Sequence, residues 1–271
     1  FWGALLLLAY IYAGYPLLVA ARARWFPRPV RRAPFTDGCS ILIAARNEAD
    51  NLPGKLASLL AQTAAASIRE ILVGSDASTD RTADVVRGMA DPRIRVVEFP
   101  GQRGKPSVLN DLMPLCSGDV VIMNDARQRL DPGALERLLA PFADPAVGVV
   151  SGELVFVDEW NSTASRGIDT YWRYEKWIRN AEGMVHSVPG ATGALYAIRR
   201  SLLKPIPPGT ILDDVAIPMQ AVVAGARCIF EQGAVVYDKP SATAGQESIR
   251  KRRTIAGAAQ LIGLYPGWLL P

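Results

Sequence analysis

The sequence predicts an α/β fold, on three observations. Short apolar runs of strand type alternate with segments of helical spacing from Cys39 to Phe142. Polar and acidic residues gather just after each run. Ahead of them lies a stretch of 21 residues without a charge. Strands of about five residues alternating with helices of about ten build βαβ units, whose parallel strands are covered on both faces.

The first stretch, "FWGALLLLAYIYAGYPLLVAA", is long enough for a bilayer of roughly 30 Å at about 1.5 Å per residue. Aromatics mark it at Phe1, Trp2, Tyr10, Tyr12 and Tyr15. A secretory signal has a shorter apolar segment and a small-residue cleavage site. Residues 1–21 therefore read as a transmembrane helix and 22–35 as a basic juxtamembrane linker. Arg22, Arg24, Arg28, Arg31 and Arg32 put that linker on the cytoplasmic side.

"CSILIA" (39–44) is the first strand and "EADNLPGKLASLLAQ" (48–62) a helix. "EILVGS" (70–75) is a strand, followed by a helix over 78–90 opened by a Ser/Thr/Asp cap. "RIRVVEF" (93–99) is a strand. The helix over 104–116 carries Lys105 and Pro106 in its first turn. "DVVIMN" (119–124) is the fourth strand, with a helix over 131–142.

The second half is less regular. Residues 146–158 read as strand. Residues 159–185 read as a helix bearing Trp160, Tyr171, Trp172, Tyr174 and Trp177, aromatics expected in the core or at a membrane interface. A glycine-rich turn leads into a strand over 190–203, and 210–231 reads as acidic turn, helix and strand. "QESIRKRRTIAGAAQLI" (246–262) is a basic helix that becomes apolar. The chain starts without Met and ends inside an apolar run, so both ends read as cut and further spans are expected.

Composition excludes several classes. Three scattered cysteines with no CxxC suggest neither a disulfide framework nor a zinc site. One histidine, His186, cannot build a histidine-rich metal site. The net charge of +4 is mild. Its basic clusters lie beside apolar spans rather than among aromatics on one face, so no nucleic-acid partner is expected.

Parallel sheets bind ligands beyond the carboxyl ends of their strands. The residues there are Ala45 to Glu48, Asp76 to Asp80, Gly101 to Lys105, and Asp125 to Arg127. "GQRGKPS" is no P-loop, because Phe99 stands where the first glycine belongs and Pro106 follows the lysine.

In this order the motifs "ILIAARNEADNL", "VGSDASTDRTADVV", "GKPSVLN", "NDARQRLDPGAL", "LDDVAIP" and "RKRRTIAG" resemble the family 2 glycosyltransferases. The likeness covers about Thr36 to Leu261 and extends to membrane-bound bacterial polysaccharide synthases of the poly-N-acetylglucosamine, cellulose or hyaluronan type. It implies the GT-A fold, a Rossmann-like mixed sheet flanked by helices, over 36–240. A basic, amphipathic interface helix over 241–271 then leads into a truncated membrane region.

The resemblance also implies site roles. Ala45, Asn47, Glu48, Asp76, Ser78 and Asn124 would hold the nucleotide-sugar donor, and Lys105, Arg250 and Arg253 its diphosphate. Asp125 would hold Mg²⁺ or Mn²⁺. The family's second metal-motif acid is replaced by Arg127. That cation either leaves a one-carboxylate site, with itself facing a phosphate or turned away, or abolishes the site. Asp214 would be the catalytic base, with Asp213 beside it; helix capping by either acid is the alternative. Thr254 stands where processive members carry a tryptophan, which puts long-chain processivity in doubt.

The implied function is membrane-anchored, inverting transfer from a nucleotide-diphospho-sugar, UDP-linked by expectation. The acceptor is a saccharide or lipid-linked molecule in cell-surface polysaccharide synthesis, at the cytoplasmic face of a bacterial inner membrane. Transfer to a polyprenyl phosphate and a non-catalytic binding protein are the alternatives.

Overall fold

The computed structural model describes residues 1–157, 165–239 and 244–269. Trp160 and the other residues of 158–164 and 240–243 lie outside the described residues. The apolar N-terminal stretch is helical over Trp2–Trp25, as α1 (Trp2–Ala9), a π-helical turn (Tyr10–Gly14) and α2 (Tyr15–Trp25). It is long and apolar enough to cross a membrane, and almost none of its apolar window is buried.

Four short apolar runs form β1 (Cys39–Ala45), β2 (Ile68–Asp76), β3 (Ile94–Phe99) and β4 (Val120–Asn124). β1 pairs in parallel with β2 and β4, and β2 with β3. The second half adds β5 (Arg129–Leu130), β6 (Val147–Phe156), β7 (Leu195–Arg199) and β8 (Arg227–Asp238). The sheet order is β3-β2-β1-β4-β7-β6-β8-β5. β7 runs antiparallel to β4 and β6, which makes the sheet mixed, while β6 and β8 are parallel. Two differences from the sequence reading stand out. β8 continues past Glu231 to Asp238, and β5 is a two-residue strand antiparallel to β8. Two residues are too few to show any alternation.

The helices are α3 (Leu52–Leu60), α4 (Thr82–Arg87), α5 (Lys105–Leu112), α6 (Ala134–Leu139), α7 (Ser165–Val185), α8 (Asp213–Val223) and α9 (Ala244–Leu264). Several are shorter than their sequence pattern. α5 gives way to a 3₁₀ turn at Met113–Leu115, where Pro114 lacks the N–H that the helix would need. α4 starts only at Thr82, because Ser78 to Asp80 form a loop instead of a first turn.

Side chains alternate across the strands, so each face of the sheet has its own core. Ile41 and Ile43 of β1 pack with Leu52, Leu56, Leu135 and Leu138 of α3 and α6. Leu42 points the other way, toward Leu109, Leu112, Ile217 and Ala221 of α5 and α8. Each such leucine or isoleucine, fully buried, stabilises the fold by about 1.5–3 kcal/mol. This two-sided clamp fixes the strand ends from which the polar residues project. α2 docks on α7, where the Tyr15 hydroxyl donates to Glu182 Oε1 at 2.7 Å. The Arg28 N–H continues that contact, donating to the Met184 carbonyl at 2.8 Å.

Candidate active site

Two groups of polar residues occupy the carboxyl edge of the sheet. The first lies at the ends of β1 and β2. Ala45 closes β1 and is buried. Asn47 follows at φ 56°, a left-handed conformation that asparagine tolerates. Its Oδ1 accepts from the Thr79 N–H at 2.8 Å, and its own N–H donates to Ser78 Oγ at 3.2 Å. The Glu48 N–H donates to Thr82 Oγ1 at 2.9 Å, and Glu48 Oε2 accepts from Asn51 Nδ2 at 2.7 Å. Asp80 accepts from the N–H groups of Ala49 and Thr82. The Thr82 hydroxyl, backed by these amides, holds the Asp80 carboxyl below its usual range.

Asp76 is only 5% exposed. Its two oxygens accept from the N–H groups of Arg103 at 2.7 Å and Gly104 at 2.8 Å. That fastens the β3–α5 loop, in which Gly104 takes φ 80°. Only glycine adopts such a conformation at low cost. The adjoining helix start then aims Lys105 away from this rim.

The second group faces a cleft of about 470 Å³ between the sheet, α7, α8 and α9. The Lys105 ammonium bridges two acids, at 3.0 Å from Asp125 Oδ1 and 3.1 Å from Asp213 Oδ2. Asp213 Oδ2 meets it as an ion pair without a hydrogen bond. Burial pulls the Lys105 pKa down, but Asp125 and Asp213 outweigh it and hold the ammonium above its usual range. Asp214 lies beside them and accepts from the Gly193 N–H at 3.1 Å. Its pKa is pushed up to about 6, by burial first and by Asp213 next, with Lys105 opposing. Capping does not account for the pair: Leu212 is the N-cap of α8, and both acids lie in its first turn.

Asn124, at the end of β4, donates to the Ala194 carbonyl and keeps a buried Oδ1 without a protein partner. Arg250, Arg253 and Thr254 of α9 line the same cleft. The guanidinium of Arg127 pairs with Asp238 Oδ2 at 3.0 Å, across the cleft wall.

The structure thus gathers Lys105, Asp125, Asp213, Asp214, Arg250 and Arg253 around one cavity. Ala45, Asn47, Glu48, Asp76 and Ser78 stand apart from its lining, at the neighbouring strand ends. Sequence reasoning missed three residues. Asp238 ends β8, which runs beyond its apolar pattern, so only the sheet brings it to Arg127 and Gln128. Trp172 lines the cleft and packs at a tilt against Phe156, 5.5 Å between ring centroids, where core or membrane packing was expected. Lys55, fully buried on α3, gave no signal, since a lone lysine on an amphipathic helix reads as surface.

Mg²⁺ or Mn²⁺ fits this donor set on chemical grounds. Such ions use one or two carboxylates and fill the remaining positions with water and phosphate oxygens. Asp125 faces the cleft and engages Lys105 through Oδ1. Among the described residues there is no cage of three or more acids.

A mixed α/β sheet with acids and a lysine gathered beyond its central strands defines a GT-A type transferase fold. Residues 40–206 match the profile of Glycosyl transferase family 2, and the chain belongs to that family. It is 31% identical over 134 residues to the succinoglycan biosynthesis protein ExoU of Rhizobium meliloti, covering 49% of this chain and 37% of that one. It is 30% identical over 168 residues to an N-acetylglucosaminyltransferase of Mesorhizobium japonicum, covering 60% of this chain and 39% of that one. The chain therefore spans well under half the length of these curated relatives. Among solved structures, the mannosyltransferase PcManGT from Pyrobaculum calidifontis, in complex with GDP-Man and Mn²⁺, superposes with a TM-score of 0.77. The two are 26% identical, over 95% of this chain and 74% of that one. S. aureus TarS, at 16% identity and a TM-score of 0.59, over 78% of this chain and 61% of that one, shares the fold.

Proposed function

We propose that this chain is the catalytic part of a membrane-anchored, inverting glycosyltransferase. It moves a sugar from a nucleoside-diphosphate donor to an acceptor hydroxyl. One observation carries the reading: the Lys105 bridge between Asp125 and Asp213 lies in one cleft with a half-buried Asp214 whose pKa is pushed up to about 6.

In this reading the Asp214 carboxylate takes the proton of the acceptor hydroxyl as that oxygen bonds to the sugar C1. The C1–oxygen bond to the diphosphate breaks, and its electron pair leaves with the nucleotide. Lys105 and Arg253 receive the negative charge that develops there. A divalent cation held by Asp125 would supply further neutralisation of the diphosphate. The strand ends at Asn47, Glu48, Asp76 and Ser78 flank the nucleoside. Opposite Asp214, Trp172, Lys176 and Arg179 of α7 provide a ring face and cations for the acceptor.

The names of the relatives, an N-acetylglucosaminyltransferase and a succinoglycan biosynthesis protein, support a UDP-sugar donor and a polysaccharide acceptor. Residues 1–21 anchor the chain in a bacterial inner membrane, 22–35 link that anchor to the domain over 36–240, and the domain faces the cytoplasm. Residues 241–271 lie along the membrane surface. A lipid-linked acceptor is the second reading. It is favoured because α7, one wall of the cleft, also packs against the apolar N-terminal helix.

The test is a donor screen in membranes with Mn²⁺, reading nucleotide released from UDP-, GDP- and dTDP-sugars. Wild-type protein is expected to turn over one class, and Asp214→Asn and Asp125→Ala are expected to lose it. Absence of turnover in all three proteins with every donor would favour a non-catalytic binding protein.

A further inference from the structure

We propose that Lys55 is a positioning residue of this site: a buried hydrogen-bond donor, fixed behind the loop from Asp125 to Gln128, that makes the loop present Asp125 to a divalent cation. The inference rests on the metal-assisted reading above.

Lys55 has no exposed surface. Burying an ammonium is costly unless it is hydrogen-bonded and faced by opposite charge. The hydrogen bond is present, but burial outweighs the nearby acids and lowers the Lys55 pKa to about 7, so the side chain acts mainly as a hydrogen-bond donor. Its Nζ donates to the Gln128 carbonyl at 2.7 Å. The acids whose charge it feels are Asp125 and Asp238.

The loop is gripped from its other side as well. Asp238 Oδ2 accepts from Arg127 and from Gln128 Nε2, each at 3.0 Å, and its Oδ1 accepts from the Lys239 N–H at 2.8 Å. Arg127 and Gln128 are therefore held between α3 and the end of β8. Asp125, just before them, is bonded only by the side chain of Lys105 among the hydrogen bonds described. With Arg127 in place of a second metal-motif acid, one carboxylate must be well placed. Groups behind a ligand that fix its orientation change metal affinity by roughly 10–100-fold when removed. Coulomb repulsion between Lys55 and a bound cation acts the other way. Burial lowers the Lys55 pKa to about 7 and so weakens that repulsion, and positioning dominates.

The experiment measures Mn²⁺ binding by electron paramagnetic resonance of the unbound ion, on the full chain in detergent, with UDP and separately with GDP. Nucleotide affinity without Mn²⁺ and the thermal midpoint are recorded alongside. Lys55→Met is expected to weaken Mn²⁺ binding by roughly 10–100-fold and leave metal-free nucleotide affinity unchanged. Lys55→Arg, which keeps a donor for the Gln128 carbonyl, recovers most of the loss. A folded Lys55→Met protein with unchanged Mn²⁺ affinity would show a purely structural lysine and overturn the proposal. Tighter binding would show that repulsion dominates and overturn it equally. If Lys55→Met does not fold, Asp238→Asn carries the test, because it loosens the same loop from the opposite side. Unchanged Mn²⁺ affinity there is the overturning result. Wild-type protein that binds no Mn²⁺ with either nucleotide contradicts the metal-assisted function itself and takes the proposal with it.

Discussion

At the ends of β1 and β2, carboxylates meet backbone N–H groups. At the end of β4 and the start of α8, they meet a lysine and one another. Asp76 accepts two amides and Asp80 two more, so each is satisfied by the fold itself. Asp125, Asp213 and Asp214 share the influence of one ammonium, and Asp214 is left with a raised pKa. Hydrogen bonds from amides favour an ionised acid, whereas burial beside like charge disfavours it. The first rim holds loops in place. The second holds charge that a ligand would relieve, as expected where a protein trades stability for chemistry.

This contrast predicts opposite signs for similar mutations. The largest effect belongs to Asp214→Asn, which should lower kcat by about 10²–10⁴-fold. It should also stabilise the protein at neutral pH. The folded pKa of about 6 exceeds the ordinary 3.8, so above about pH 6 the fold carries an unfavourable charge that the unfolded chain does not feel. Asparagine removes that penalty, a gain of about 2 kcal/mol that fades as the pH falls from 6 toward 3.8. Thermal melts of wild type and variant at neutral and acid pH check the sign.

Next comes Lys105→Met, which leaves three acids facing each other with no cation between them. Donor turnover should fall by about 10²–10³-fold, and the pH at which activity appears should rise. Asp76→Asn should do the reverse of Asp214→Asn in a melt, losing about 1–3 kcal/mol as an amide nitrogen meets a backbone donor. The smallest effect is expected for Asp80→Ala, about 1 kcal/mol in the melt with kcat within a factor of about two. A destabilised Asp214→Asn or a stabilised Asp76→Asn would erase the distinction between the two rims.

Much of this arrangement was legible in the sequence. The runs at the centre of β1, β2 and β4 are apolar because both faces of the sheet are covered there, whereas the edge strand β3 exposes Arg95 and Glu98; the polar residues that follow these strands had to emerge at one edge. Lys105 and Asp125 could be ranked together because each stands where an element of that kind begins or ends, whereas Asp213 and Asp214 were marked only by the family resemblance. Partners brought together by the second half were not legible. Arg127 finds Asp238 over a separation of 111 residues, through a strand that extends beyond its apolar pattern. Lys55 looked like a solvated residue, since nothing local reveals that the β4–β5 loop covers it. Trp172 was one of several aromatics along α7, and only packing decides which of them turns to the cleft. Tyr174 instead donates its hydroxyl to the Tyr12 carbonyl, on the apolar N-terminal helix, and stacks on Trp177 at 6.1 Å.

The central claim is that Asp214 is a base whose surroundings delay its ionisation. The groups that face it are Asp213, Lys105 and Asp125. The most direct measurement is the pH dependence of kcat/KM for sugar transfer at Mn²⁺ well below saturation, where the free enzyme carries no cation beside Asp214. Because a base must be ionised to act, activity should climb with pH along a limb whose apparent pKa is about 6. A limb at the ordinary aspartate value, or a rate that does not change through that interval, would contradict the account.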